Sequence, residues 1–214
     1  MEECISVFDM LKIGVGPSSS HTLGPWRAAE RFLEELRQDF DLESITRVKV
    51  DLYGSLSLTG KGHATDLAVM LGLSGQDPEY IPVQDIDGII KAIENNHLIQ
   101  LGNEKALPFY ILQDIVFHKE FLPFHANGLT FTAFFENETE YASTFYSIGG
   151  GFVVKEERSN AKKKIAIKCA FPFPINNAAE LLDYTHKENK SISEIVYANE
   201  ISMRPEAEVH SELL

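Results

Sequence analysis

The spacing of apolar residues changes near residue 97, and this change constrains the fold more than any other feature of the chain. Before it, apolar side chains recur at helical spacing, most clearly over residues 23–36, with Pro25 tolerated in the first turn. After it, short aromatic-rich runs alternate with polar or small residues, most cleanly over residues 129–135. The helical pattern returns at Asn177. We therefore predict an α+β fold with a mostly antiparallel sheet, helices on one face of it and a separate helical C-terminal piece.

The same periodicities predict the other elements. Helices are expected around residues 6–13, 67–72, 86–96 and 178–188, and a last helix follows a capping box of Ser191 and Glu194. Strands are expected at residues 48–52, 98–101, 115–117, 141–148, 152–154 and 164–170. The first of these strands is expected to continue through residues 53–56. We divide the chain into a main domain, residues 1–175, and a helical segment, residues 176–214.

The charge balance argues against two classes of partner. The 214 residues contain 19 Lys and Arg against 32 Asp and Glu, which gives a formal net charge of −13. Such a chain repels phosphate backbones and anionic lipid, and its one basic run, residues 162–164, is typical of a solvated hairpin. No run reaches the roughly 18 apolar residues of a membrane span. We predict that neither nucleic acid nor a membrane is a partner.

The cysteine content indicates a reducing compartment. Cys4 and Cys169 are the two cysteines of the sequence, too few for a disulfide framework, so both are expected to be free thiols. The acidic start of the chain, Glu2-Glu3, differs from the basic start of a signal peptide, and we predict a cytoplasmic location. Two cysteines also cannot by themselves hold an iron–sulfur cluster, which takes roughly three or four thiolates.

A Ser-rich loop leads directly into the first long helix. It carries a run of hydroxyl groups and one imidazole: Ser18, Ser19, Ser20, His21 and Thr22. Free backbone N–H groups and the positive end of the helix dipole meet at such a junction, which suits a carboxylate or a phosphate. The alternative is a loop that only caps the helix, with Ser20 or Thr22 as the N-cap.

A second junction, residues 59–66, carries a cation and an imidazole, Lys61 and His63. A nucleotide phosphate loop is disfavoured, because Lys61 lies between two glycines and no Ser or Thr follows it. Lys61 could neutralise a bound carboxylate, and His63 could act as a base, an acid or a positioning donor. The alternative is a turn in which Thr65 or Asp66 caps the next helix.

Two weaker motifs follow in the strand-rich region. His125 and Asn127 lie two residues apart in a turn flanked by aromatic residues, where both could face one cavity, although a histidine at such a turn is more often structural. The glycines of residues 149–151 permit positive φ angles and a close backbone approach. They could contact a ligand, but a tight bend is the more common use of such a run.

These motifs together carry a family resemblance. The matching segments, in order along the chain, are residues 6–9, 14–22, 60–66, 125–128, 147–152 and 172–174. They resemble the bacterial iron–sulfur L-serine dehydratases (L-serine ammonia-lyases), and the resemblance covers essentially the whole chain. It is confined to the β part of that family, which occurs as a separate subunit or as the N-terminal half of a longer chain.

The resemblance implies a division of labour between two parts. The α part of the family carries the cysteines for a 4Fe–4S cluster, so no cofactor is expected on this chain alone. The β part resembles in fold the allosteric substrate-binding domain of some phosphoglycerate dehydrogenases. The implied reaction converts L-serine to pyruvate and ammonia, with an iron of the cluster as Lewis acid and the β part closing over it.

The resemblance also suggests roles for the residues singled out above. Catalytic or orienting roles fall to His21, Lys61, His63 and His125. Substrate-binding roles fall to Ser18, Ser19, Ser20, Thr22, Thr65 and Asn127. Expected partners are the α part, L-serine and a second copy of the chain, because the aromatic-rich strands present apolar edges. The competing hypothesis is a non-catalytic regulatory domain that binds serine or another small carboxylate.

Overall fold

The computed structural model describes residues 6–10, 14–156 and 171–213. Residues 14–156 form one compact unit, and residues 6–10 with 171–213 form another. The predicted strand at residues 164–170, Cys4 and Cys169 lie outside the described residues. The predicted division of the chain at residue 175 stays a prediction.

The larger unit contains both helices and strands. Its helices are α2 (Gly24–Asp39), α3 (Gly54–Thr59), α4 (Thr65–Leu73), α5 (Val83–Asn96) and α6 (Ile111–Asp114), while α1 (Val7–Met10) belongs to the other unit. Its strands are β1 (Ile45–Leu52), β2 (Leu98–Leu101), β3 (Lys105–Pro108), β4 (Ile115–Phe117), β5 (Gly128–Phe135), β6 (Glu140–Gly149) and β7 (Phe152–Lys155).

Within the described residues, five strands form a sheet in the order β4-β1-β5-β6-β7. The β1–β5, β5–β6 and β6–β7 pairs are antiparallel, and β4 pairs with β1 in parallel. Strands β2 and β3 form a separate antiparallel pair. The predicted α+β class with a mostly antiparallel sheet is confirmed, whereas the likeness to the phosphoglycerate dehydrogenase domain stays a prediction.

The core lies between the sheet and α2. This helix contacts β5, β6 and β7, and its Phe32 stacks on Phe131 of β5 with ring centroids 5.2 Å apart. Both side chains are fully buried, and each such burial stabilises the fold by about 1.5–3 kcal/mol. Helix α4 packs on α2 at Gly72, where a Cβ would lie 2.7 Å from the Cβ of Ala29. The first long helix therefore has a fixed position on the sheet.

The predicted continuation of β1 through residues 53–56 is wrong. The strand ends at Leu52 and the chain turns into α3 at Gly54, whose φ of +55° is the left-handed conformation that glycine tolerates. Backbone hydrogen bonds from Gly54 to Glu120 and from Ser55 to Ala126 hold this turn. A distant loop therefore decides where the strand ends.

The smaller unit is helical, as predicted, with α7 (Ala178–Glu188), α8 (Ile192–Met203) and α9 (Glu206–Leu213). The capping box of Ser191 and Glu194 is confirmed at the start of α8. Glu200 is buried, and its carboxylate accepts hydrogen bonds from the Ser6 hydroxyl at 2.6 Å and from the Val7 backbone at 2.9 Å. These bonds tie the segment that contains α1 to α8.

Candidate functional site

The Ser-rich loop forms a π-helical turn, Ser19–Leu23, directly before α2. The Ser18 hydroxyl accepts a hydrogen bond from the His21 backbone, and the Ser18 carbonyl accepts from Thr22 and Leu23. The predicted N-cap role of Ser20 or Thr22 is therefore wrong, because Ser18 caps the π-helical turn and α2 follows Leu23 without a side-chain cap. Single π-helical turns are rare in proteins, and those that occur are often found at functional sites.

The His21 ring is held by hydroxyl groups on both sides. Its Nδ1 lies 2.9 Å from the Ser20 Oγ, and its Nε2 lies 2.9 Å from the Ser55 Oγ at the start of α3. The His63 ring lies beside it, with centroids 5.1 Å apart. Within the described residues, neither ring nitrogen of His63 has a hydrogen-bond partner. Two imidazoles predicted on separate motifs are thus neighbours, and only one of them is fully engaged.

Two buried threonines bind the histidine segments to each other. The Thr22 hydroxyl donates to the His63 carbonyl at 2.8 Å, and the Thr65 hydroxyl donates to the His21 carbonyl at 2.6 Å. The exposed fractions of Thr22 and Thr65 are 4% and 0%. This reciprocal pair fixes the spacing of the two imidazoles.

The turn with His125 and Asn127 joins the same assembly. The Ala126 carbonyl accepts from the Ser55 backbone at 2.8 Å, and the Asn127 amide donates to the Ser147 carbonyl at 3.1 Å. The Ser147 hydroxyl donates to the Ser20 carbonyl at 2.7 Å. Hydrogen bonds therefore run from Ser20 through His21, Ser55, residues 126–127 and Ser147 back to Ser20. We call this closed circuit the polar ring.

Close backbone approaches make the polar ring possible. A Cβ on Gly24 would lie 1.9 Å from the Ser147 Oγ, and a Cβ on Gly54 would lie 2.4 Å from the Ala126 carbonyl oxygen. A side chain at either position would push two segments of the ring apart. Glycine is required at Gly24 by space alone, and at Gly54 by both space and a positive φ.

A cavity of about 580 Å³ opens beside the polar ring. Its lining comes from α3, the turn that follows it and β4: Ser57, Leu58, Thr59, Gly62, His63 and Phe117. A Cβ on Gly62 would meet open space, so the turn does not crowd the cavity. His63 is the imidazole of the pair that faces this space, in a pocket large enough for a small amino acid.

Burial lowers the pKa of His21 below its usual value of 6.5, and the neighbouring His63 lowers it further. The hydrogen bond with Ser55 works in the opposite direction, with a smaller effect. His21 is therefore neutral at physiological pH. A neutral His21 places no positive charge beside the His63 ring.

Comparison with known proteins identifies the family. The profile described as serine dehydratase beta chain matches residues 6–158. The chain belongs to the serine dehydratase beta chain family. It is 39% identical over 211 residues to an L-serine dehydratase of Haemophilus influenzae, which is 98% of this chain and 46% of that protein.

Two further relatives have similar coverage. L-serine dehydratase 1 of Escherichia coli is 41% identical over 206 residues, 96% of this chain and 45% of that protein. L-serine dehydratase of Streptomyces coelicolor is 41% identical over 212 residues, 98% of this chain and 47% of that protein. The chain thus spans a little less than half the length of these curated relatives.

The part of the chain that the structure describes lacks two features, a cluster of metal ligands and a membrane-spanning helix. No group of three or more His, Cys, Asp or Glu side chains there could hold a metal ion. No helix in the same part combines the length and apolarity that a transmembrane span requires.

The structure brings most of the predicted site residues together and adds two. Ser18, Ser20, His21, Thr22, His63, Thr65, His125 and Asn127 all lie on the segments of the polar ring or bond to them. Ser19 is exposed in the same turn, and the side chain of Lys61 lies outside the described part. Ser55 and Ser147 were not predicted as site residues, because Ser55 stands in no motif and the segment of residues 147–152 was considered only for its glycines.

Proposed function

We propose that this chain is the β part of an L-serine ammonia-lyase that converts L-serine to pyruvate and ammonia. The carrying observation is the His21–His63 pair, in which a neutral, doubly hydrogen-bonded imidazole supports a second imidazole at the wall of a cavity. The names of the relatives, each an L-serine dehydratase, support the same reaction. L-Serine is the proposed substrate.

The proposal assigns the 4Fe–4S cluster to an α part, because the described residues contain no suitable donor set. When bound there, such a cluster supplies Lewis-acid chemistry to the substrate. This chain supplies the opposite wall: it binds the substrate carboxylate, orients the amino acid and moves protons. The partner α chain or α domain is part of the proposal.

Carboxylate binding belongs to the π-helical turn. The hydroxyls of Thr22 and Thr65 are buried and engaged by backbone carbonyls, so we assign these two residues to holding the site together. Substrate contacts then fall to the less buried hydroxyls of Ser18, Ser19 and Ser20 at the start of the turn. Lys61 remains a candidate for neutralising the carboxylate.

His63 is the proposed base. It takes the α-proton of L-serine at a ring nitrogen that has no partner among the described residues, while His21, with both nitrogens bonded, stays neutral beside it. Loss of the α-proton and of the β-hydroxyl gives aminoacrylate, which tautomerises and hydrolyses to pyruvate and ammonia.

His125 is the proposed proton donor. Its Nδ1 accepts a hydrogen bond from the Asn127 backbone at 3.1 Å, so a neutral His125 carries its proton on Nε2. That proton can pass to the leaving hydroxyl, which departs as water, and the α-proton held by His63 then returns to Nε2 of His125, so that both rings end the turnover neutral. Asn127 fixes the ring through its backbone N–H and anchors the turn to Ser147 through its side chain.

Pyruvate formation from L-serine tests this proposal. In the complex with the α part, assayed anaerobically, His63→Ala and His125→Ala should each lower kcat by about 10²–10⁴, the usual contribution of an acid–base group. His97→Ala, a histidine outside the polar ring, is the control and should retain full turnover. The isolated chain should be inactive.

Two results would contradict the proposal. Near-wild-type turnover of His63→Ala with an unchanged circular dichroism spectrum would make His63 structural. A complex that binds L-serine without forming pyruvate would favour the regulatory domain instead. A homodimer, a cytoplasmic location and the division at residue 175 remain proposals, and sedimentation at micromolar concentration tests the first.

A further inference from the structure

Large apolar side chains stand exposed on the segments that build the polar ring. Their exposed fractions are 62% for Leu58 in α3, 58% for Phe121 and 64% for Phe124 in the loop before β5, and 46% for Ile148 in β6. We call these four residues the apolar rim. Several exposed apolar side chains on the segments that build one site mark an interaction surface more often than single exposed residues do.

The rim is fixed to the site at two points. The Phe121 ring lies against Gly54, where a Cβ would come within 2.7 Å of its Cδ1, and the Phe124 ring lies 4.9 Å from the ring of Tyr146. Leu58 lines the cavity together with His63. Phe121 and Phe124 therefore lie against residues next to two members of the polar ring, because Gly54 precedes Ser55 and Tyr146 precedes Ser147. Preorganised apolar anchors of this kind suit a specific partner.

We infer that the apolar rim is the docking surface for the α part, so that docking closes the cavity at His63. The inference rests on the proposed function and adds the surface through which this chain would bind the α part. The relatives are more than twice as long as the matched region, so a polypeptide of similar size accompanies this one in them. A partner that must present chemistry to the cavity has to contact its edge, and Leu58 of the apolar rim lines that cavity.

An exposed apolar residue outside the apolar rim, Leu112, supplies the control. Leu112 is 90% exposed and lines a different cavity, and it lies on none of the segments of the polar ring. Exposure alone would make Leu112 a better docking residue than any member of the rim. The inference instead predicts that a residue takes part in docking only if it lies beside the polar ring. The rim residues and Leu112 should therefore respond differently to the α part.

Peptide-resolved maleimide labelling tests the inference directly. Leu58→Cys, Phe124→Cys and the control Leu112→Cys are labelled in the isolated chain and in the complex with the α part, and the rate at each site is read by mass spectrometry. The rim cysteines should react at least about tenfold more slowly in the complex, while Leu112→Cys should react equally in both. Loss of complex formation in Phe124→Cys but not in Leu112→Cys would support the inference as well.

Three outcomes would overturn it. Equal labelling of the rim in the isolated chain and in a complex that forms pyruvate would refute the docking surface and leave the proposed function standing. Protection that appears in the isolated chain as its concentration rises would assign the rim to a second copy of the chain. Absence of any complex with the α part would remove both the inference and the proposed function.

Discussion

Two cavities of the larger unit each contain a histidine, yet their surroundings differ. The first, about 580 Å³, has His63 in its wall, and the second, about 340 Å³, has His97. Both also carry an exposed leucine, Leu58 in the first and Leu112 in the second. The presence of a cavity, a histidine and an exposed leucine therefore does not by itself distinguish a functional site in this fold.

The difference lies in how each histidine is held. His97 ends α5 in the left-handed conformation, its backbone bonds to Ile93 and Phe109, and its ring stacks on Tyr110 at 5.1 Å. These contacts complete a helix end and a neighbouring strand pair. The His21–His63 pair instead depends on side-chain bonds between segments that are far apart in the chain. Convergence of distant polar groups, rather than any one residue, distinguishes the site.

Breaking the polar ring at its tightest approach should have the largest effect. Gly24→Ala places a methyl group 1.9 Å from the Ser147 Oγ, which must move and lose its bond to Ser20. We expect the free energy of unfolding to fall by about 2–4 kcal/mol, from overpacking and the lost hydrogen bond. Urea denaturation measures this change.

Gly88 in α5, the helix that leads to the second cavity, gives the matched control for Gly24. A Cβ on Gly88, inside α5, would meet open space, so Gly88→Ala should raise the free energy of unfolding by about 0.5–1 kcal/mol. Opposite signs for the two substitutions would support the close approach at Gly24. A Gly24→Ala protein as stable as the wild type would contradict it.

Removing one hydroxyl from the ring should have a smaller effect, confined to turnover. Ser55→Ala removes the partner of His21 Nε2 but keeps the backbone bond from residue 55 to Ala126. We expect kcat to fall about 10- to 100-fold through misplacement of the imidazole pair, with KM and stability little changed. Steady-state kinetics of the complete enzyme measures this.

The conservative variant separates positioning from bulk. Ser55→Thr retains a hydroxyl and should recover most of the lost kcat. Equal losses in Ser55→Ala and Ser55→Thr would mean that the hydroxyl bond to His21 is not what matters at this position.

The sequence predicted the features that depend on neighbouring residues and missed those that depend on residues far apart in the chain. Alternation over residues 129–135 was enough to predict β5, and local capping was enough to place the start of α8. The start of α3 was missed because bonds to a loop more than sixty residues away decide it. Ser55 and Ser147 were missed for the same reason, since their partners His21 and Ser20 lie 34 and 127 residues away.

The smallest expected effect concerns the pKa of His21, and it tests whether the two imidazoles act as a pair. Burial is the larger cause of the lowered pKa and His63 the second. His63→Gln removes only the second cause, so the pKa of His21 should rise towards 6.5 without reaching it. NMR titration of the His21 ring measures the change, and an unmoved pKa would show that the two rings are not electrostatically coupled.

The lowered pKa of His21 also makes the stability of the folded chain depend on pH. Because the pKa of His21 is lower in the folded chain than the 6.5 of the unfolded chain, the unfolded chain binds the proton more readily between these two values. The contribution of His21 to stability is therefore complete above pH 6.5 and is lost as the pH falls through the folded pKa. His21→Gln should flatten this part of the pH dependence of urea denaturation, and His63→Gln should flatten it less, since burial of His21 remains. A steeper dependence in either variant would mean that other groups dominate this pH range.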